Sequence, residues 1–171
     1  PNVTVTTEYT GSGAGIESVS YAAVDIGNAS RALSDKEKSA GIEENIVAIE
    51  GIAMITDKNN KVTNVTKQKL TDIYTGKITN WKEVGGADES IVLITRPESS
   101  GTRATFQKYA LDGNEEASNT SMETDDSGVL LTNVKSTNGA IGYVALSYLT
   151  GDAGVETVAI DDVEPTLENT Y

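Results

Sequence analysis

The apolar run Ile91-Val92-Leu93-Ile94 passes almost at once into Arg96-Pro97-Glu98-Ser99-Ser100-Gly101-Thr102-Arg103, and this junction constrains the fold more than any other stretch. The run reads as a short buried strand, and Ala104, Phe106, Tyr109 and Ala110 are the apolar positions of an amphipathic helix beyond the turn. A strand that feeds straight into a helix start belongs to layered α/β architecture. Ser99, Ser100 and Thr102 can cap the helix with hydroxyls, and Gly101 lets the backbone approach whatever lies at its N-terminus. Unpaired N–H groups and the positive dipole end make such a place receptive to an anion, and Arg96 adds a planar fork of donors suited to a tetrahedral oxyanion. The same residues also satisfy a plain capped helix with Arg96 on the surface, and the local sequence does not choose between the two.

The layout recurs near the beginning of the chain. Asn2 to Tyr9 alternates apolar with polar residues and is rich in β-branched side chains, which predicts a strand. Gly11-Ser12-Gly13-Ala14-Gly15 then leads into a short helix from Ile16 to Tyr21. Ile16 stands where a dinucleotide fingerprint needs its third Gly, and no Walker Lys follows. The turn therefore receives a small anion or simply makes a tight connection.

Further strands are expected at Val24 to Ala29, Ala140 to Ala145 and Val155 to Ile160, and Asn45 to Ile49 and Gly51 to Thr56 read as two buried strands or one bent strand. Ser34-Asp35-Lys36-Glu37 has the capping-box pattern of a helix ending near Gly41. Thr66 to Tyr74 places Leu70, Ile73 and Tyr74 on one helical face, and Ser127 to Val134 forms another helix. Asn114 to Asp126 is expected as loop or frayed helix, and Pro165 to Glu168 as a helix start. Trp81 reads as a packing anchor. The pattern restarts near Gly51, the best candidate for a boundary.

A formal charge of −13, from 26 acidic and 13 basic residues, argues against nucleic acid as a partner. An anion must then be held by short directed hydrogen bonds, because the long-range field opposes it. There is no His and no Cys, which removes the Ser-His-Asp triad, thiolate metal sites and a cysteine nucleophile. No calcium-type loop, Gly-x-Ser-x-Gly elbow or cofactor motif is present, so a hydrolase is a remote reading and neither a metal nor a cofactor is expected. No apolar run approaches the ~20 residues of a membrane span.

Five motifs occur in order: Gly11-Ser12-Gly13-x-Gly15, Val24 to Arg31, Leu70 to Trp81, Arg96-x-x-x-Ser100-Gly101-Thr102-Arg103-x-x-Phe106, and Gly139 to Tyr143. Together they resemble the phosphate-binding proteins of bacterial ABC phosphate importers, from end to end of the chain. The resemblance implies an α/β, periplasmic-binding-protein-like fold of type II, with two lobes that close on one inorganic phosphate. Carried over by position, Ser12 supplies a hydroxyl and N–H from the first lobe, and Arg96, Ser100, Gly101 and Thr102 supply the second. Some members place an Asp where this chain has Ser30, whose hydroxyl can still accept a hydrogen bond. Arg31 and Arg103 are expected to pair with acids.

The resemblance also implies that the family's chain starts earlier and continues past Tyr171, so the present sequence is truncated at both ends. Residues 1–52 would be a partial first lobe and 53–171 the second lobe. The first lobe is expected to be incomplete, built loosely or completed by another chain, with self-association through its open strand edges. The implied function is solute receptor of an ABC phosphate importer, with inorganic phosphate and the permease subunits as partners, no enzymatic activity, and an extracytoplasmic location, periplasmic or as a cell-surface lipoprotein. A phosphate-sensing or surface-interaction protein of the same fold without a transport role is the alternative.

Overall fold

The computed structural model describes residues 2–117 and 121–170. Helices α1 (Ser12–Ser20) and α2 (Asp35–Ser39) precede the sheet, whose strands are β1 (Ile52–Asp57), β2 (Asn64–Val65), β3 (Val92–Thr95), β4 (Ser121–Glu123), β5 (Ala140–Ala145) and β6 (Val155–Ile160). Between them lie α3 (Lys67–Tyr74), α4 (Gly101–Ala110) and α5 (Ser127–Ser136). The spatial order is β2-β6-β1-β5-β3-β4. Strand β1 runs antiparallel to both neighbours, β5 and β6, while β3 pairs parallel with β5 and β4, and β2 parallel with β6. All five other strands therefore point against β1.

Period-two alternation along the central strands divides the core into two layers. Met54, Leu93, Ile141 and Tyr143 face one way, onto Leu70, Ile73 and Tyr74 of α3 and Phe106 of α4. Their neighbours Ile55, Ile94 and Val144 face the other way, onto Leu130 and Val134 of α5. Gly142 permits the second contact, since a Cβ there would stand 2.9 Å from Val134 and 3.1 Å from Leu130. Tyr143, Phe106 and Tyr74 form an aromatic cluster, with Tyr143 and Phe106 stacked at 4.2 Å between centroids.

Trp81 is buried, and its Nε1 donates to the Gly139 carbonyl at 2.9 Å. The Gly139 N–H donates to Asp57 at 3.0 Å. Gly139 adopts a φ of +73°, and a Cβ there would meet the Ser90 carbonyl at 2.3 Å, so glycine is required at this turn.

The strands expected at Asn2 to Tyr9, Val24 to Ala29 and Asn45 to Ile49 are not formed among the described residues. Val3, Val5, Ile26, Ile46 and Val47 are exposed. Their alternation specifies a face to bury, but a strand exists only where a neighbour takes its backbone groups, and no strand pairs with these segments. Among the described residues, the segments before β1 thus present unpaired β-branched stretches in place of the formed strand edges that were expected. Helix α2 does form with its capping box, Ser34 accepting from Glu37 N–H. In the polar stretch from Asn114 to Asp126, residues 118–120 lie outside the described residues, and Ser121–Glu123 is a strand where loop or frayed helix was expected. At the far end Glu168–Thr170 makes one 3₁₀ turn.

Candidate functional site

The N-termini of α1 and α4 meet. Helix α1 starts at Ser12 after Gly11, which has no side chain to cap it, and the Gly13 N–H donates to the Ser99 carbonyl at 3.2 Å. The Ser12 hydroxyl accepts the Ser30 N–H at 2.9 Å, which leaves its own proton free to donate. Gly101 presses on this pair: a Cβ there would stand 2.2 Å from Ser12 Oγ and 3.2 Å from Ser30 N. Thr105 of α4 donates to the Ser30 carbonyl at 3.1 Å, so Ser30 is tied through both its backbone groups. Two further glycines let α1 lie against the segment before Ser30, since a Cβ on Gly27 would meet the Gly15 carbonyl at 2.4 Å.

Ser100 caps α4, its Oγ accepting the Arg103 N–H at 3.4 Å, and is buried. Thr102 lies in the first turn of α4, half-buried. Five of the six site residues read from the sequence, Ser12, Ser30, Ser100, Gly101 and Thr102, are thus gathered where two helix N-termini converge. The amides and hydroxyls there are the groups that stabilise negative charge.

Arg96, the sixth, leaves the end of β3 and is 3% exposed. Its guanidinium turns toward the start of α5, where Nη1 donates to the Asp125 carbonyl at 3.1 Å and Nη2 to the Ser127 hydroxyl at 2.8 Å. It also lies over the Tyr143 ring, 5.9 Å from the centroid. Its Nε is buried without a hydrogen bond. Burial lowers the Arg96 pKa from its ordinary value, against the nearby Tyr143 and Asp125, which raise it. A desolvated cation with an unpaired donor gains from a bound anion. Only its main chain is joined to α4, through Arg103 Nη1, which donates to the Arg96 carbonyl at 2.5 Å.

Arg31 and Arg103 pair with acids. Arg31 makes a two-pronged contact with Glu37, both distances 2.8 Å, and Arg103 Nε lies 4.0 Å from Glu116. Ser127 and the Asp125 carbonyl, which hold the Arg96 guanidinium, are not among the site residues read from the sequence, although the helix beginning at Ser127 is. The pattern Asp126-Ser127-Gly128 at a helix start was the available signal, since it repeats the hydroxyl and glycine chemistry of Ser100-Gly101.

Residues 1–166 match the family model for the PBP superfamily domain. The chain belongs to the PBP superfamily. Within that superfamily it is 43% identical to the phosphate-binding protein PstS of Bacillus subtilis strain 168, over 99% of this chain and 56% of that protein. Among solved structures, a Clostridium perfringens crystal structure with bound phosphate, described as a phosphate ABC transporter substrate-binding protein, superposes with a TM-score of 0.85 at 44% identity, covering 93% of this chain and 65% of that one. An ABC-type phosphate transport receptor from Vibrio cholerae gives a TM-score of 0.73 at 32% identity, covering 93% and 66%. The PBP-superfamily chain thus spans between just over half and about two thirds of these relatives. Its α/β layers are those of the PBP-like fold.

Proposed function

We propose that this chain carries part of the phosphate-holding surface of an ABC importer's solute receptor. The observation that carries the reading is the convergence of the α1 and α4 N-termini at Ser12, Ser30 and Gly101. Ser12, Ser100 and Thr102 offer hydroxyls, the first turns of both helices offer N–H groups, and Arg96 offers a buried cation whose Nε is unpaired. Short charge-assisted hydrogen bonds of this kind can hold a dehydrated oxyanion against a net charge of −13. The names of the relatives agree with phosphate as the anion.

On this reading no bond is made or broken: residues 1–52 contribute to one lobe and 53–171 to the other, and closure of the lobes presents the loaded receptor to permease subunits. The native location is extracytoplasmic, in the periplasm or on a lipid anchor. No helix among the described residues is long and apolar enough to cross a membrane. The exposed β-branched segments at residues 2–9, 24–29 and 45–49 support self-association by strand pairing between copies.

Calorimetric titration with phosphate, then sulfate, tests the reading, with Arg96→Ala as control. Heat of binding for phosphate that disappears in the variant is the expected result. A folded chain that binds neither anion, or binds equally well without Arg96, would overturn it.

A further inference from the structure

Beneath the Arg96 backbone lies a buried carboxylate that the anion site does not itself use. The Glu116 side chain is 1% exposed, yet it sits between three elements. Thr95, the last residue of β3, donates its hydroxyl to Oε2 in a very short contact. Tyr143 of β5 donates to Oε1 at 2.9 Å, and Arg103 of α4 places Nε 4.0 Å from the same oxygen. All three of these partners touch Arg96, the Thr95 hydroxyl lying 3.5 Å from its carbonyl. Arg103 donates to its carbonyl, and Tyr143 lies under its guanidinium.

We propose that Glu116 is a positioning residue for Arg96, a buried carboxylate that gathers Tyr143 and Arg103 and through them fixes the arginine's main chain and guanidinium. This rests on the reading of Arg96 as an anion ligand. A buried carboxylate is costly unless its oxygens are hydrogen-bonded and its charge is matched; here the Thr95 and Tyr143 hydroxyls supply the hydrogen bonds, and Arg103, with Nε 4.0 Å away, supplies the opposite charge. The arrangement is therefore cooperative: the acid specifies one position for its donors, and the donors transmit that position to Arg96. Its negative charge is matched locally by Arg103, which limits repulsion of an anion held beyond Arg96.

The groups facing Glu116 are Arg103 from α4, Tyr143 from β5, Tyr74 from α3 and Glu123 from β4. Burial pushes the Glu116 carboxyl above its usual range, opposed by the hydrogen bonds from Thr95 and Tyr143. A cleft of about 460 Å³, bordered by Pro97, Glu98, Arg103 and Glu123, reaches Thr95 and Glu116 and gives a proton access. When protonated, the acid loses its charge and turns one oxygen into an O–H donor, which weakens its grip on the donors.

The test pairs the native chain with Glu116→Gln, which keeps the shape and removes the charge. Phosphate dissociation constants are measured by calorimetry between pH 8 and pH 5, and their ratio is taken at each pH so that ionisation of phosphate itself cancels. The variant should bind about tenfold more weakly at pH 8, the scale of a charge-assisted hydrogen bond. As pH falls through the titration of Glu116 the ratio should approach one. A ratio of one throughout, a constant ratio at every pH, or tighter binding by the variant would overturn the proposal.

A second readout is independent of the ligand. The Arg96 Nε–H resonance in ¹⁵N-labelled protein, assigned by its loss in Arg96→Lys, should move in Glu116→Gln and should move in native protein as pH falls. If the native chain binds no phosphate, the receptor reading fails while this resonance still decides the positioning claim; a resonance indifferent to Glu116 defeats it. Should Glu116→Gln fail to fold, Tyr143→Phe keeps the ring under Arg96 and removes one donor, and about a threefold loss of phosphate affinity is expected on the same scale. Unchanged affinity and an unmoved resonance in that variant would also defeat the proposal.

Discussion

The hydroxyl oxygen of Ser12 accepts the backbone N–H of Ser30 at 2.9 Å, and Gly101 of a different layer closes over both. The bond joins a helix start to the segment that precedes α2, and it holds the Ser12 side chain in one rotamer. On the proposed reading Ser12 offers its proton to the anion, and a side chain oriented before the ligand arrives lowers the entropy cost of binding.

Gly101→Ala should force the two helix starts apart. Its Cβ would stand 2.8 Å from Ser12 Cβ as well as 2.2 Å from Ser12 Oγ, so rotating the hydroxyl away does not relieve the clash. Overpacking of this sort costs ~1–3 kcal/mol. Because the clash lies at the site and not in the aromatic core, phosphate affinity should fall by more than tenfold while far-ultraviolet circular dichroism stays native.

Gly27→Ala should loosen α1 without disturbing the sheet. The new Cβ meets a carbonyl, that of Gly15, at 2.4 Å, and backbone atoms cannot be moved by a change of rotamer. Hydrogen exchange should show lost protection in α1 with β1 and β5 unchanged. Equal loss in both regions would mean that α1 and the sheet unfold as one unit.

Trp81→Phe removes the indole donor to the Gly139 carbonyl and part of a fully buried side chain. That carbonyl keeps a second partner, the Val92 N–H at 3.0 Å, so it is not stranded. The expected destabilisation is ~2 kcal/mol, mostly from lost packing, read as a lower urea midpoint with an unchanged slope.

Glu37 titrates at about 2, held down first by the Arg31 guanidinium and then by hydrogen bonds from Ser34. Its folded-state value is lower than the ordinary 4.5, so the stabilisation it gives is complete above that value and is lost as pH falls toward about 2. Arg31→Ala should bring the Glu37 carboxyl resonance, followed by NMR, back toward the ordinary carboxylate midpoint. An unmoved midpoint would mean that the capping box alone sets it.

The two helix-start turns at Ser12 and Ser100 were legible because each is local. Ser12 and Ser100 each stand at a helix start beside a Gly, and the chemistry of such a start follows from a handful of consecutive residues. Strands β1, β3, β5 and β6 were legible for the same reason, since Met54-Ile55 and Leu93-Ile94 carry enough apolar residues for both faces. Strand β2 has two residues and no period to read. Glu116 was invisible because its meaning comes from Thr95 and Tyr143, which the sheet brings to it from distant positions. The segments at 2–9, 24–29 and 45–49 show the converse: a strand-like pattern is a demand for a neighbour, and the pattern does not supply one.

Strand β1 also dictates an order of assembly. Met54 lies between Tyr143 and Val158, so the centre of the sheet is completed by the last two strands of the chain. While a ribosome is still adding residues before 140, the Ile52–Asp57 segment has neither of its neighbours and cannot be stored as a strand. Such long-range closure slows folding and leaves the apolar run Ile52 to Ile55 exposed in the nascent chain.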